Sequence, residues 1–330
     1  MKLGSNFWST VKKKYSIYMI LVGLFIVCSL ANPNFLSVNN LTNISRQLSV
    51  TTILALGATL LIISGMLDLS SGSVLALAGV FAVSTYKATG SLLLALTVGI
   101  LTGIVCNVIN AIMVSTFKAP PFIATLAMLT VARGVALLYT KGQNILQLGD
   151  FTELGQGSIG VIPIPIIFLI AIAILTWYLL NHTRFGRALY AVGGNEEAAI
   201  ASGINVHNVK YTAFIINGIF VGIAGVLFMS RVNAGLPNGA INYEFTALTA
   251  AIIGGTSFSG GIGTVGGTLA GAFIVGFLDN IMNLNNVDSY MQQIVRGTII
   301  ALAVIYDIRS RNRRAKATLV KAEDLGADKK

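Results

Sequence analysis

The stretch RFGRALYAVGGNEEAAIASG, residues 184–203, interrupts an otherwise apolar sequence with a compact polar segment, and its reading decides how the chain is built. Asn195 is placed to cap a helix N-terminus, Glu196 and Glu197 then put negative charge at the positive end of its dipole, and Gly203 suits the left-handed residue that stops it. About two turns of helix follow from that spacing. Gly193 and Gly194 are read as letting the chain turn into it. Ala198, Ala199, Ile200 and Ala201 give a face small enough to enter a groove on another protein. A membrane protein builds such a loop to touch something soluble, so the segment reads as a docking helix.

Around it, 55% of residues are hydrophobic and 10% charged, whereas a typical soluble domain carries about 25% charged residues. The chain belongs in a bilayer. A spanning helix needs about 20 mostly apolar residues, and stretches suited to that role run over 15–31, 48–65, 71–86, 91–116, 121–139, 163–181, 210–230, 244–256, 264–283 and 291–307, the third and eighth being the weakest. The expectation is an all-α polytopic membrane protein of about ten transmembrane helices. It is a single domain over 1–330, with a basic N-terminus at 1–14, a loop at 182–209 and a tail at 308–330, all cytoplasmic.

The Lys and Arg residues test that topology independently of hydropathy. Lys2, Lys12, Lys13, Lys14, Lys118, Arg184, Arg187, Lys210 and eight more from Arg309 onward fall inside, which is sixteen of 22. Arg46, Lys87, Arg133, Lys141, Arg231 and Arg296 fall outside or within spans. The net charge of +10 therefore reads as topology, and nucleic-acid binding has no soluble domain to carry it. Three lysines before an apolar stretch and Ser29-Leu30-Ala31 resemble a secretory signal, but nine further spans favour reading the segment as a retained first span. Cys28 and Cys106 lie within spans and suggest neither a disulfide framework nor a metal site.

No catalytic constellation is apparent: His182 and His207 flank the polar loop, and no serine or cysteine has a base partner nearby. Gly261-Ile262-Gly263-Thr264-Val265-Gly266 fits G-x-G-x-x-G, but it sits between spans instead of following a strand and opening a soluble helix, so it reads as tight turning and close helix packing rather than a cofactor site. The sequence lacks G-x-x-x-x-G-K-[ST], so any ATP is handled by a partner. Ile53–Val80 and Leu248–Val275 are faintly alike, each passing from an apolar helix through a Gly/Ser-rich break into a small-residue helix. Such breaks are tolerated at membrane depth only where they are buried in protein or line a hydrated cavity. Thr256, Ser257 and Phe258 in the second break are therefore candidate gate or pathway residues. The loop over 140–162, rich in glycine, suits a wet, irregular surface, either a connector or a landing place for a soluble partner.

Polar groups within spans are the remaining signal. Asp68 has two readings, as a cap for a helix starting near Ser70 or as a lining of the pathway with it. Asn107 and Asn110 share a helix face, with Thr125 in the following span; they either hydrogen-bond between helices or contact a hydroxylated solute. Asp279 and Arg296 lie on consecutive antiparallel spans at similar depth and read as a structural ion pair, and Asp307 marks an inner interface.

Four segments together carry a resemblance: Asn34-Phe35-Leu36-Ser37 with 40–44; Gly65 to Ser73; Thr183 to Gly203; and Gly254 to Thr264. With these, nearly the whole chain resembles the membrane permeases of bacterial ABC importers for monosaccharides, the ribose-type family. The resemblance implies an inner-membrane location and an ABC importer permease fold. It implies a cytoplasmic ATPase subunit, an extracytoplasmic sugar-binding protein, a second permease subunit in either a homodimer or a pair of different permeases, and a monosaccharide substrate. It also implies that Gly186, Gly194, Asn195, Glu196, Glu197, Ala198, Ala199 and Gly203, supported by Arg184 and Arg187, couple the spans to the ATPase. Met66-Leu67 departs from the smaller or more polar pair expected before Asp68. The rival class is an ion-coupled secondary transporter, which would show midplane carboxylates or histidines for the coupling ion.

Overall fold

A computed structural model of the chain describes residues 3–302, 304, 305 and 309, with side chains from residue 16 onward. Asp307 and, Arg309 apart, the 308–330 tail lie outside the described residues.

All ten apolar stretches fold chiefly as helix. In chain order the helices are α1 (Leu3–Ala31), α2 (Val38–Ile63), α3 (Ser71–Thr89), α4 (Leu92–Ala111) with a π-helical extension over Ile112–Thr116, and α5 (Pro121–Thr140). A single turn, α6 (Glu153–Gln156), precedes α7 (Ile164–His182), α8 (Arg184–Gly194), α9 (Glu196–Ala201), α10 (Val206–Val232), α11 (Tyr243–Ile253) and α12 (Val265–Leu284). The chain divides into two compact units, Met1–Val287 and Asp288–Lys330; in the second, residues 289–302 are helical. Six of the described helices are long and apolar enough to cross a membrane: α2, α4 with its extension, α5, α7, α10 and α12. The eleven residues of α11 extend only about 16 Å, half the hydrocarbon thickness.

Two helices form the centre. Most of the apolar length of α2 and α10 is buried, whereas α4, α5 and α7 leave most of theirs exposed, with side chains such as Leu101, Val131 and Ile174 turned outward. Close approach at the centre depends on glycine. Gly99 and Gly103 of α4 meet Gly218 and Gly222 of α10 so closely that a Cβ on Gly218 would lie 2.6 Å from the Gly103 carbonyl oxygen. Each pair is spaced G-x-x-x-G, the arrangement that lets helix backbones touch in a bilayer.

Most of the 140–162 loop is exposed, as its composition suggests, but it is anchored at three buried points. Its strand β1 (Ile145–Leu146) pairs antiparallel with β4 (Ala234–Gly235), and β2 (Ser158–Ile159) pairs with β3 (Ile162–Pro163). Leu148, Phe151 and Gly155 are buried. Ser230 at the end of α10 accepts from the Gly155 N–H at 2.6 Å and donates to the Phe151 carbonyl at 2.6 Å. Backbone groups satisfied in this way allow a loop to pack rather than float.

Candidate functional site

The break between α2 and α3 delivers Asp68 into the centre of the helices. Its carboxylate accepts from the Ser70 N–H at 2.7 Å, the Ser70 hydroxyl at 2.5 Å, the Ser71 hydroxyl at 2.8 Å and the Asn217 amide at 2.8 Å. Four donors, with the first turn of α3 directly below, offset the cost of burying the group. The network continues: Asn110 donates to Ser70 at 3.0 Å, Asn217 donates to Asn107 at 2.9 Å, and Asn107 donates to the Gly103 carbonyl at 3.1 Å. Asp68, Ser70, Asn107 and Asn110 thus meet in one buried cluster. Thr125 stays apart, its hydroxyl donating to Pro121 of its own helix at 2.8 Å. The residue missing from the sequence reading is Asn217. A lone amide within an apolar span gave no pattern, yet it joins α10 to both α4 and the break.

The two breaks share one geometry. After α2, the Gly65 N–H donates to Ile62 and the Met66 N–H to Leu61; after α11, Gly255 donates to Ile252 and Thr256 to Ala251. Gly65 and Gly255 have φ of 78° and 85°. These are paired Schellman endings, in which a left-handed glycine returns the freed carbonyls to hydrogen bonds. The faint similarity between Ile53–Val80 and Leu248–Val275 therefore has a structural counterpart. Within the second break, Thr256 and Ser257 are buried, Phe258 is partly exposed, and the Thr256 hydroxyl has no hydrogen-bond partner among the described residues.

The polar loop contains two helices where one was expected. Thr183 caps α8, accepting from the Gly186 N–H at 3.1 Å, and α8 is amphipathic, with Phe185, Leu189 and Val192 turned inward and Arg184 and Arg187 outward. Asn195 then breaks the backbone into an extended conformation and caps α9, accepting from the Ala198 N–H at 3.0 Å. Gly203, with φ of 80°, ends α9 in a third Schellman turn. Ala199 alone of α9 is buried; Glu197, Ala198, Ile200 and Ala201 are exposed. Glu196 pairs with Lys210 at 2.9 Å. Gly193 and Gly194 are the last residues of α8 rather than a turn, and the need at Gly193 is room: a Cβ there would collide with the Ile63 carbonyl and lie 2.8 Å from the Gly261 nitrogen. Gly186 is similarly pressed against the Leu179 and Leu180 carbonyls where α7 turns into α8.

A cavity of about 630 Å³ opens beside α9, lined by Ser64 and Gly65 of the first break together with Lys118, Glu196, His207 and Lys210. His207 is hydrogen-bonded to Ser115 at 2.9 Å, and Tyr211 to Thr116 at 2.8 Å, fastening the π-helical end of α4 to the start of α10. Asp279 is buried on α12 and shares a narrow crevice with Gln47, Thr51 and Thr246. Arg296 belongs to the second unit. No group of three metal-ligating side chains occurs among the described residues.

Residues 40–304 match the family described as branched-chain amino acid transport system / permease component. The ribose import permease protein RbsC of Haemophilus influenzae is 40% identical over 295 residues, 88% of this chain and 91% of that protein. RbsC of Bacillus subtilis is 39% identical over 300 residues, covering 90% and 93% of the two chains. The L-arabinose ABC transporter permease protein AraH of Azospirillum brasilense is 35% identical over 310 residues, covering 93% and 91%. No solved structure gives a significant match.

Proposed function

The chain belongs to the family of permease components of the branched-chain amino acid transport system type, and from that premise we propose that it is the membrane-spanning subunit of an ATP-driven importer for ribose or a related pentose or hexose. It is a transport subunit rather than an enzyme, set in the bacterial inner membrane by several apolar helices. The observation that carries the substrate class is identity of 39% to 40% with two ribose permeases over about nine-tenths of both chains.

In this account ATP is hydrolysed by a cytoplasmic ABC ATPase, sugar arrives from an extracytoplasmic binding protein, and two copies of this chain form the membrane core. The loop over 182–209 and both termini are cytoplasmic, and α9 docks on the ATPase through Glu197, Ala198, Ile200 and Ala201, supported by Arg184 and Arg187. Their exposure on a short, doubly capped helix supports that role. About ten helices cross or enter the bilayer, with α11 and the breaks at 64–70 and 254–264 as half-crossings near the pathway. Asp68 and its network, Thr125, and Thr256 to Phe258 line or brace that route, since irregular backbone at membrane depth belongs beside protein or water. Displacement of α8 and α9 when the ATPase closes then opens the breaks in turn.

The test is uptake of labelled pentoses and hexoses into proteoliposomes that hold this chain with the ATPase and binding protein encoded beside it. Uptake of one sugar that needs all three proteins and ATP is expected. Uptake of none, with the complex intact and hydrolysing ATP, would move the substrate outside the sugars.

A further inference from the structure

The cap of α12 and the end of α8 meet at one point. The Tyr190 hydroxyl of α8 donates to the Gly263 carbonyl at 2.8 Å, immediately before Thr264 caps α12 by accepting from the Gly267 N–H at 3.1 Å. One turn further along α8, Gly193 lies against the end of α2 and the second break together. The Gly261 N–H donates to the Ile63 carbonyl at 2.8 Å, so α2 and the second break are already joined there. Gly260 and Gly261 hold φ of 86° and 72°, and a Cβ on Gly260 would lie 2.6 Å from the Gly193 carbonyl oxygen. Side chains are excluded at this three-way contact, so backbone bears directly on backbone. A packed joint of that kind transmits displacement instead of absorbing it. Within the second break the Ser257 N–H closes on the Ile262 carbonyl at 2.9 Å, so the segment moves as a short closed loop.

We infer that Tyr190 is a positioning residue for transport: its hydrogen bond to Gly263, above the Gly193–Ile63–Gly261 contact, carries displacement of α8 into the 254–264 break and the start of α12. This rests on the coupling reading of the 184–203 loop. Residues of α9 meet the ATPase; Tyr190 meets neither the ATPase nor sugar and acts only through the break. Burial pushes the Tyr190 phenol above its ordinary value, which keeps the hydroxyl a donor.

The experiment compares Tyr190→Phe and Glu197→Lys in the complete complex, reconstituted with ATPase and binding protein. It measures sugar moved per ATP hydrolysed, co-purification of the ATPase, and amide hydrogen exchange with and without a non-hydrolysable ATP analogue. Tyr190→Phe deletes one hydroxyl and is expected to lower sugar moved per ATP by about threefold to tenfold, the range for one neutral hydrogen bond. Half-saturating ATP and ATPase co-purification are expected to stay unchanged. In the unaltered complex the ATP analogue changes exchange over both 195–203 and 257–264; in Tyr190→Phe only the 195–203 response remains. An unchanged sugar-to-ATP ratio, or a 257–264 response that survives the substitution, overturns the inference. If Glu197→Lys also leaves coupling and co-purification untouched, the docking reading itself fails, an outcome separate from failure of the joint.

Discussion

Asn217 of α10 donates to Asp68 at 2.8 Å across 149 positions of sequence, and the same amide nitrogen reaches Asn107 at 2.9 Å. One side chain thereby ties the centre of α10 to α4 and to the break that leads into α3. Gly57 makes the approach possible, because a Cβ there would overlap the Asn217 side-chain oxygen. Replacing Asn217 by Leu fills the space but strips donors from Asp68 and Asn107, and the expected loss is about 3 kcal/mol, the scale for leaving a buried charge short of a partner. Thermal unfolding in detergent should show a clearly lower midpoint. An unchanged midpoint would mean that the carboxylate finds another donor.

Glycine-to-alanine changes should divide by neighbourhood. Gly103→Ala and Gly222→Ala force α4 and α10 apart, since each Cβ would overlap backbone of the other helix, and overpacking of this sort costs about 1–3 kcal/mol. Gly134 of α5 has nothing within 4 Å of a built Cβ, so Gly134→Ala should be neutral or gain up to about 1 kcal/mol from helix propensity. Unfolding midpoints of the three variants, measured side by side, check the contrast.

Much of this arrangement is legible in the sequence where the signal is local. Apolar length locates the helices, and Asn195 and Gly203 mark the two ends of α9 through capping chemistry that acts within a few residues. What escapes is set by contacts distant in sequence. Gly193 reads as a turn residue until Ile63 and Gly261 are seen to press on it, and Asn217 has no local meaning at all. Gly99 with Gly103 and Gly218 with Gly222 do carry a sequence signal, the four-residue spacing of small residues, which hydropathy overlooks. The glycines of the 140–162 loop point to solvent, and most of it is exposed, but they give no sign that Phe151 and Gly155 pack against the end of α10.

Within the polar loop, outward and inward residues should behave differently. Glu197→Lys changes an exposed side chain, so the unfolding midpoint should stay put while sugar moved per ATP falls. Ala199→Phe pushes a large ring into a buried position and should lower both the midpoint and uptake. Glu196→Gln removes a partly exposed pair with Lys210, worth less than about 1 kcal/mol. Parallel melting and transport assays separate the three.

Tyr190 also sets an expectation for pH. Its phenol is raised by burial, so the neutral, donating form is fully present below the ordinary value of about 10 and is lost only as pH rises through the higher folded value. The penalty of Tyr190→Phe, taken as the ratio of its coupling efficiency to that of the unaltered complex, should therefore be constant between pH 6 and pH 9. A penalty that shrinks across that range would show that the hydroxyl is already ionising.

The most direct measurement is simultaneous recording of ribose uptake and ATP hydrolysis in proteoliposomes containing this chain, its ATPase and its binding protein. Uptake that requires ATP and all three proteins, and that stops when the ATPase is inactivated, is the predicted result. Ribose uptake that proceeds without the ATPase, driven by an ion gradient alone, would contradict the account and make the chain a secondary transporter.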